Sequence, residues 1–210
     1  TSRLVRESTG RITTIYNFPD LDLYNVAADD ASYDVFYAGS LTTTAGLWTI
    51  LSCAELLQKD NITFALYGFL EPHLHKIASR YSNVYLGGRI PHTEVIRRMK
   101  AARVGIIPLQ DVRKFHFNIP TKMFEYMAEG IPFVASDLPP IRRFVGKSRC
   151  AILVPADRPD YFAAAIRDLL ADENERKARG ESGRKLVEDR FNWAREEAKL
   201  IDTYMKILDS

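Results

Sequence analysis

Between Asp34 and Val154, six short apolar runs alternate with longer amphipathic stretches, and few architectures accept that rhythm. The runs are Asp34 to Ala38, Ile62 to Tyr67, Val84 to Leu86, Val104 to Pro108, Pro132 to Ser136 and Ala151 to Pro155. Each is rich in β-branched or aromatic residues, and each is bounded by Gly, Pro, Asp or Ser, which marks strands that stop abruptly. Strands this apolar must be covered on both faces. Strands separated by helical stretches are joined by crossovers and run parallel. The expected class is therefore α/β: a doubly wound parallel sheet of about six strands with helices on both faces.

The intervening stretches support this reading. Leu47, Ile50, Leu51, Ala54 and Leu57 recur at helical spacing, and Val95, Ile96 and Met99 form a shorter stripe, so both segments present core faces. Beyond Tyr161 the chain turns charged and Ala-rich up to Arg190. Ile201, Tyr204, Met205 and Leu208 then make a last stripe, expected on a terminal helix that docks. The division follows as residues 1–32, an amino-terminal strand and connector; 33–190, the sheet domain; and 191–210, the terminal helix. A chain of 210 residues with 46% hydrophobic content can build one substantial core.

A formal charge of +2, from 29 basic and 27 acidic residues, is too small to announce nucleic acid or an anionic bilayer as partner. Cys53 and Cys150 show neither metal spacing nor a disulfide framework, so free thiols in a reducing cytoplasm are expected. No apolar run reaches the length of a membrane span, and the opening residues TSRLVRESTG lack the apolar core expected of a signal peptide.

In doubly wound sheets ligands sit beyond the carboxyl ends of the strands, so the loops there are the candidate sites. Ala38 to Gly46 (AGSLTTTAG) lets backbone approach a ligand at Gly39 and Gly46, or simply caps a helix; the dinucleotide glycine fingerprint is absent. Tyr67 to Phe69 (YGF), where Gly68 ends a strand, is a further loop that can border a ligand or form a simple tight turn. Leu86 to Pro91 (LGGRIP) can offer Arg89 and Ile90 to a flat heterocycle, or form a turn with a solvated arginine. After Asn118 and Ile119, Pro120 suits the first turn of a helix that runs to Gly130. Lys122 and Glu125 then share one face near a helix start, where free amides and the dipole favour an anion and a carboxylate can grip a vicinal diol. The alternative is an ordinary exposed ion pair, with Glu129 as further surface charge. His73, His75 and His92 read as solvated or capping residues at helix starts. His116 borders the key helix without a carboxylate orienter evident in sequence, and Arg113 and Lys114 beside it read as a solvated basic loop.

The run PTKMFEYMAEGIPFVASDLPPIRRFV, with YAGSLTTTAG upstream and YLGGRIPHTEVIRRMKAARVGIIPL between, resembles the carboxyl-terminal, donor-binding half of GT-B glycosyltransferases of the family-4 type. The resemblance extends from about Thr13 to Leu208 and includes the closing FNWAREEAKLIDTYMKIL segment. It implies a Rossmann-like domain that binds a nucleoside-diphosphate sugar as substrate, with a UDP-sugar favoured over a GDP-sugar and no separate cofactor or metal. On that analogy Glu125 holds the ribose, and Lys122 with the amides of Thr121 to Met123 meets the diphosphate. Gly39, Ser40 and Leu41 close over it, Arg89 and Ile90 line the base, and Asn118 and Ile119 lie beside the donor sugar.

The chain departs from the commoner family pattern. Of the family's paired glutamates the later is Glu125, but the earlier position is Phe117; Ser40 and Ala45 stand where basic residues are common. Lys122 takes over that charge, as in the branch with Pro, a variable residue and Lys before Phe-Glu-Tyr-Met. The segment before Asp34 is too short for a second Rossmann-like domain, so the resemblance implies a donor-binding half that lacks its acceptor-binding domain and turns over little by itself. The expected reaction is sugar transfer to a glycan or lipid-linked acceptor in cell-surface polysaccharide biosynthesis, in the cytoplasm, with any membrane contact made through the missing half. A sugar-nucleotide epimerase and a non-catalytic scaffold are the competing readings.

Overall fold

The computed structural model describes residues 12–27 and 32–208. Six strands form one parallel sheet: β1 Tyr33–Ala38, β2 Phe64–Tyr67, β3 Val84–Gly88, β4 Ala102–Ile107, β5 Phe133–Ser136 and β6 Ala151–Val154. Their order is β3-β2-β1-β4-β5-β6, with every ladder parallel. This is the Rossmann-like order, which reverses direction between β1 and β4 and opens a crevice at their carboxyl ends. All six expected strands are present, and both faces are covered.

Side-chain alternation divides the core in two. Val35, Tyr37, Phe64, Leu66, Val104, Ile106 and Val134 face one side of the sheet, and Phe36, Ala65, Tyr67, Ile107, Phe133 and Ala135 face the other. The first face is covered by α1 (Leu47–Leu57), α2 (Pro72–Ala78) and α6 (Pro159–Ala171); Leu47, Ile50, Leu51, Ala54 and Leu57 are all buried there. The second is covered by α3 (His92–Lys100), α4 (Lys122–Ala128) and α5 (Pro139–Val145), backed by α7 (Glu173–Asp189). The charged carboxyl-terminal third breaks at Asp172, whose carboxylate accepts from the Glu175 amide at 2.9 Å and caps α7. Both cysteines are free and buried, as expected.

The expectation for the docking of the terminal helix needs revision. Among the described residues, 12–27 contain no strand, only a 3₁₀ turn at Leu21–Tyr24; residues 1–11 and 28–31 of the expected strand and connector lie outside the described residues. The segment is nonetheless pinned. Phe18 packs edge-on to Phe124 at 4.8 Å and tilts against Phe191 at 5.2 Å, while Phe124 meets Phe144 at 5.2 Å, so one aromatic cluster ties it to α4, α5 and the end of α7. The terminal helix, α8 (Trp193–Leu208), is held by the Trp193 amide on the Pro19 carbonyl at 2.9 Å and by buried Glu196, which accepts from the Tyr16 amide at 2.8 Å. Its expected docking stripe is not used for this: Ile201, Tyr204, Met205 and Leu208 are exposed. No helix among the described residues is long and apolar enough to cross a membrane.

Candidate functional site

The helix α4 is fixed at the switch point by Tyr126. Its ring lies on Gly105 in β4, where a Cβ would stand 2.7 Å from the ring carbons, and its hydroxyl donates to the Phe36 carbonyl of β1 at 2.9 Å. The helix begins at Lys122 with Thr121 at its cap, later than the expected start at Pro120, and the Thr121 carbonyl already accepts from Phe124 at 2.9 Å. The Met123 amide bonds the Pro120 carbonyl at 3.3 Å, so it is spent within the turn. Met123 itself is core.

Lys122 is the unusual residue. Its stem is partly exposed, but its ammonium lies 3.8 Å from the centroid of the Tyr37 ring, beside Gly39 in the loop that leaves β1. Gly39 has a φ of +148°, and a Cβ there would come within 2.7 Å of Lys122 Nζ, so only glycine leaves room for that head group. The Tyr37 hydroxyl turns away and donates to the Ser40 carbonyl at 2.9 Å. Among the described residues Lys122 has no ion-pair partner. Burial pushes its pKa down to about 8, with the nearby charge of Glu125 opposing the shift. A desolvated cation without a counter-ion, at the mouth of a parallel sheet, is a place for an anion.

Glu125 lies one turn further on. Its carboxylate opens into a cleft of about 430 Å³ lined by Phe18, Tyr24, His92, Thr121 and Trp193. Oε1 stands 3.6 Å from Nε2 of His92, and that contact raises the histidine pKa against the opposing effect of burial. Lys122 and Glu125 thus do not pair as an exposed couple: each looks into its own space. His92 is a site residue that its sequence position, directly after Pro91, did not suggest.

A second cleft of about 270 Å³ lies over the β1, β2 and β3 ends, lined by Gly39, Ser40, Phe69, Arg89, Ile90 and Val95. The Arg89 guanidinium stacks 5.0 Å from the Phe69 ring centroid, which makes one flat wall. Both clefts border α3, through His92 and Val95. Leu41 is buried and paired with Leu70, and its amide donates to the Phe69 carbonyl at 2.9 Å, so it lies behind the cleft and does not line it. Gly46 packs against the Pro108 carbonyl of the neighbouring loop, where a Cβ would fall 1.9 Å away, so it closes two loops together instead of facing a ligand.

The loop before α4 carries the remaining candidates. Asn118 is exposed, Ile119 is half-buried against the core, and Phe117 projects with 79% of its surface accessible. His116 does have a carboxylate partner: the 3₁₀ turn at Arg113–His116 brings its Nε2 onto Asp111 Oδ1. Arg113 and Lys114 are exposed. Glu129, expected at the surface, is instead buried, with Oε1 unpartnered and Lys100 Nζ 3.9 Å from Oε2; burial lifts its pKa to about 7. No group of three or more His, Cys, Asp or Glu side chains that could hold a metal converges among the described residues.

Solved structures share this fold. Sucrose-phosphate synthase from Thermosynechococcus elongatus superposes with a TM-score of 0.78 over 99% of this chain at 21% identity. HepE from Anabaena, solved in complex with UDP-glucose, gives 0.77 over 92% at 17% identity. A point mutant of S. aureus TarM, solved in complex with fondaparinux, α-GlcNAc-glycerol and UDP, gives 0.74 over 96% at 19% identity. The chain spans 56%, 57% and 41% of the lengths of these three neighbours, respectively. No curated protein matches the sequence significantly. The family described as glycosyl transferases group 1 matches residues 32–172, from the start of β1 through the end of α6. On that match and this fold, the chain belongs to the glycosyl transferases group 1 family.

Proposed function

We propose that the chain is the donor-binding, carboxyl-terminal half of a family-4 type GT-B glycosyltransferase and holds a nucleoside-diphosphate sugar across its two clefts. The observation that carries this is the unpaired, desolvated ammonium of Lys122 beside Gly39. A diphosphate placed there receives a full positive charge in a region of low dielectric, where a charge-assisted hydrogen bond is strong. The same charge stabilises the diphosphate as it leaves the anomeric carbon, since negative charge on it grows in the transition state.

The other groups take their roles around that anchor. Glu125 accepts the two ribose hydroxyls. The Arg89, Ile90 and Phe69 wall receives the base, and Gly39 and Ser40 border the phosphates, with Leu41 behind them. Thr121, at the cap of α4, faces the Glu125 cleft, and the Met123 position serves only through buried packing. Asn118 and Ile119 flank the donor sugar. With Phe117 in place of a family glutamate, no carboxylate from that position reaches the sugar.

A UDP-sugar is favoured over a GDP-sugar on the strength of HepE and TarM, whose structures carry UDP-glucose and UDP. The transferred unit is a hexosyl group, and the acceptor is a glycan or lipid-linked glycan of the cell surface. The acceptor-binding groups belong to a second domain, consistent with the roughly half-length coverage of the neighbours. Two free, buried cysteines accord with a cytoplasmic location.

Thermal melting in the presence of UDP, GDP, UDP-glucose and GDP-mannose tests this reading. A ligand at one hundred times its dissociation constant adds ~2.7 kcal/mol to the folded state, or a Tm increase of about 5–10 °C for a chain of this size. UDP compounds should give the larger shift. No shift with any nucleotide points to a scaffold, and interconversion of sugar nucleotides without acceptor points to an epimerase.

A further inference from the structure

The contact between His92 and Glu125 joins the loop that lines the base wall to the helix that carries the diphosphate anchor. His92 is the first residue of α3, two positions after Ile90, and its Nε2 reaches 3.6 Å from Glu125 Oε1 across the cleft. The groups that face the pair are few. From the 12–27 segment come Asp20, whose carboxylate accepts from the Asp22 amide at 3.2 Å, and the Tyr24 phenol; from α8 comes the apolar Trp193. On α3 itself Glu94 is occupied by Arg97 at 3.1 Å. On α4 the Lys122 ammonium is turned to Tyr37. Among the described residues, Glu125 is the carboxylate within ion-pair distance of His92, and His92 is the imidazole that faces Glu125.

A carboxylate has about four lone-pair sites on two oxygens. His92 faces Oε1 at ion-pair distance, and lone pairs on both oxygens remain for a vicinal diol. Without the histidine, the long glutamate side chain must be ordered by the ligand, which costs affinity. We propose, building on the reading of Glu125 as the pentose acceptor, that His92 is a positioning residue: protonated, it locks the Glu125 carboxylate for the ribose diol, and its deprotonation loosens that grip. The carboxylate of Glu125 beside it raises the His92 pKa above its usual 6.5, against the opposing effect of burial.

Calorimetric titration of the chain with UDP and with 2′,3′-dideoxyuridine diphosphate, from pH 6 to 8.5, isolates the effect. The ratio of the two affinities cancels the titration of the phosphates and of Lys122. Because the ion pair exists only while His92 is protonated, and a partly exposed pair is worth up to about 1 kcal/mol, the ratio should fall roughly fivefold as pH rises through this range. His92→Gln, at a position whose side chain is 55% exposed, should fold normally and hold the ratio at its high-pH value throughout; His92→Arg should hold it at its low-pH value. A ratio that keeps its pH dependence in His92→Gln, or is flat in the parent protein while Glu125→Gln collapses it, overturns the role of His92 alone. A ratio unchanged by Glu125→Gln overturns the pentose assignment itself and the His92 role with it.

Discussion

Replacing Lys122 with methionine should stabilise the free protein and weaken nucleotide binding, a pairing of effects that an ordinary structural lysine would not give. Methionine keeps the unbranched stem and removes the charge. The lysine is held at a pKa of about 8 against an ordinary 10.5, and every tenfold loss of proton affinity is worth ~1.4 kcal/mol, so carrying the ammonium into the fold costs roughly 3 kcal/mol. Because the folded value lies below the unfolded one, the folded state binds fewer protons between about 8 and 10.5. The cost is thus fully present below pH 8 and is relieved as pH rises toward 10.5. Contact of the ammonium with the Tyr37 ring at 3.8 Å returns about 1–2 kcal/mol. The net gain for Lys122→Met is about 1–2 kcal/mol at pH 7, a Tm increase of about 2–8 °C, shrinking toward zero near pH 10.5. The same change removes a charge-assisted contact to the diphosphate, for a loss of roughly ten- to hundredfold in UDP affinity. Circular dichroism melts at pH 7 and 10, with calorimetry at pH 7, measure both. A variant that is less stable at pH 7 and binds UDP as tightly as the parent would refute the reasoning.

Three further outcomes are expected. Glu129 has its pKa raised to about 7 by burial, so the fold loses stability as pH rises from about 4.5 to 7; Glu129→Gln should gain about 1–3 kcal/mol above pH 7 and nothing below pH 4.5, read from urea unfolding at both pH values. Tyr126→Phe deletes the buried hydroxyl that donates to the Phe36 carbonyl and should cost about 1–2 kcal/mol in the same assay, with α4 still seated on Gly105. Gly39→Ala puts a Cβ 2.7 Å from the Lys122 ammonium on a left-handed backbone, and should lower both Tm and UDP affinity, the latter by about tenfold or more.

The sheet was legible because its information is local. Val35, Phe36 and Tyr37 are apolar in succession because both faces of β1 are covered, and the same holds for Phe64 to Tyr67 and for Val104 to Ile107. The Lys122 and Glu125 pair was legible as a shared helical face, but not that Lys122 turns inward to Tyr37 while Glu125 turns out to the cleft. The inward turn of Lys122 needs the room left by the missing Cβ of Gly39, far away in sequence, and Glu125 faces His92 on another helix. The seating of Phe18 among Phe124, Phe144 and Phe191 left no periodic trace, since a single aromatic in an irregular segment has no pattern to read. His92 looked solvated because its partner is on another helix. His116 found Asp111 only because a 3₁₀ turn folds the loop back on itself. Glu129, next to Gly130 at the end of α4, looked like surface charge; the approach of α7 over that end buries it, with Gly180 in contact with the Gly130 carbonyl.

The most direct test of the central claim is a crystal structure of the chain soaked with UDP. The account predicts the diphosphate within hydrogen-bond distance of Lys122 Nζ beside Gly39, the ribose hydroxyls on the Glu125 carboxylate, and uracil against the wall of Arg89 and Ile90. A nucleotide bound elsewhere, with Lys122 still turned onto Tyr37 and Glu125 untouched, would contradict it.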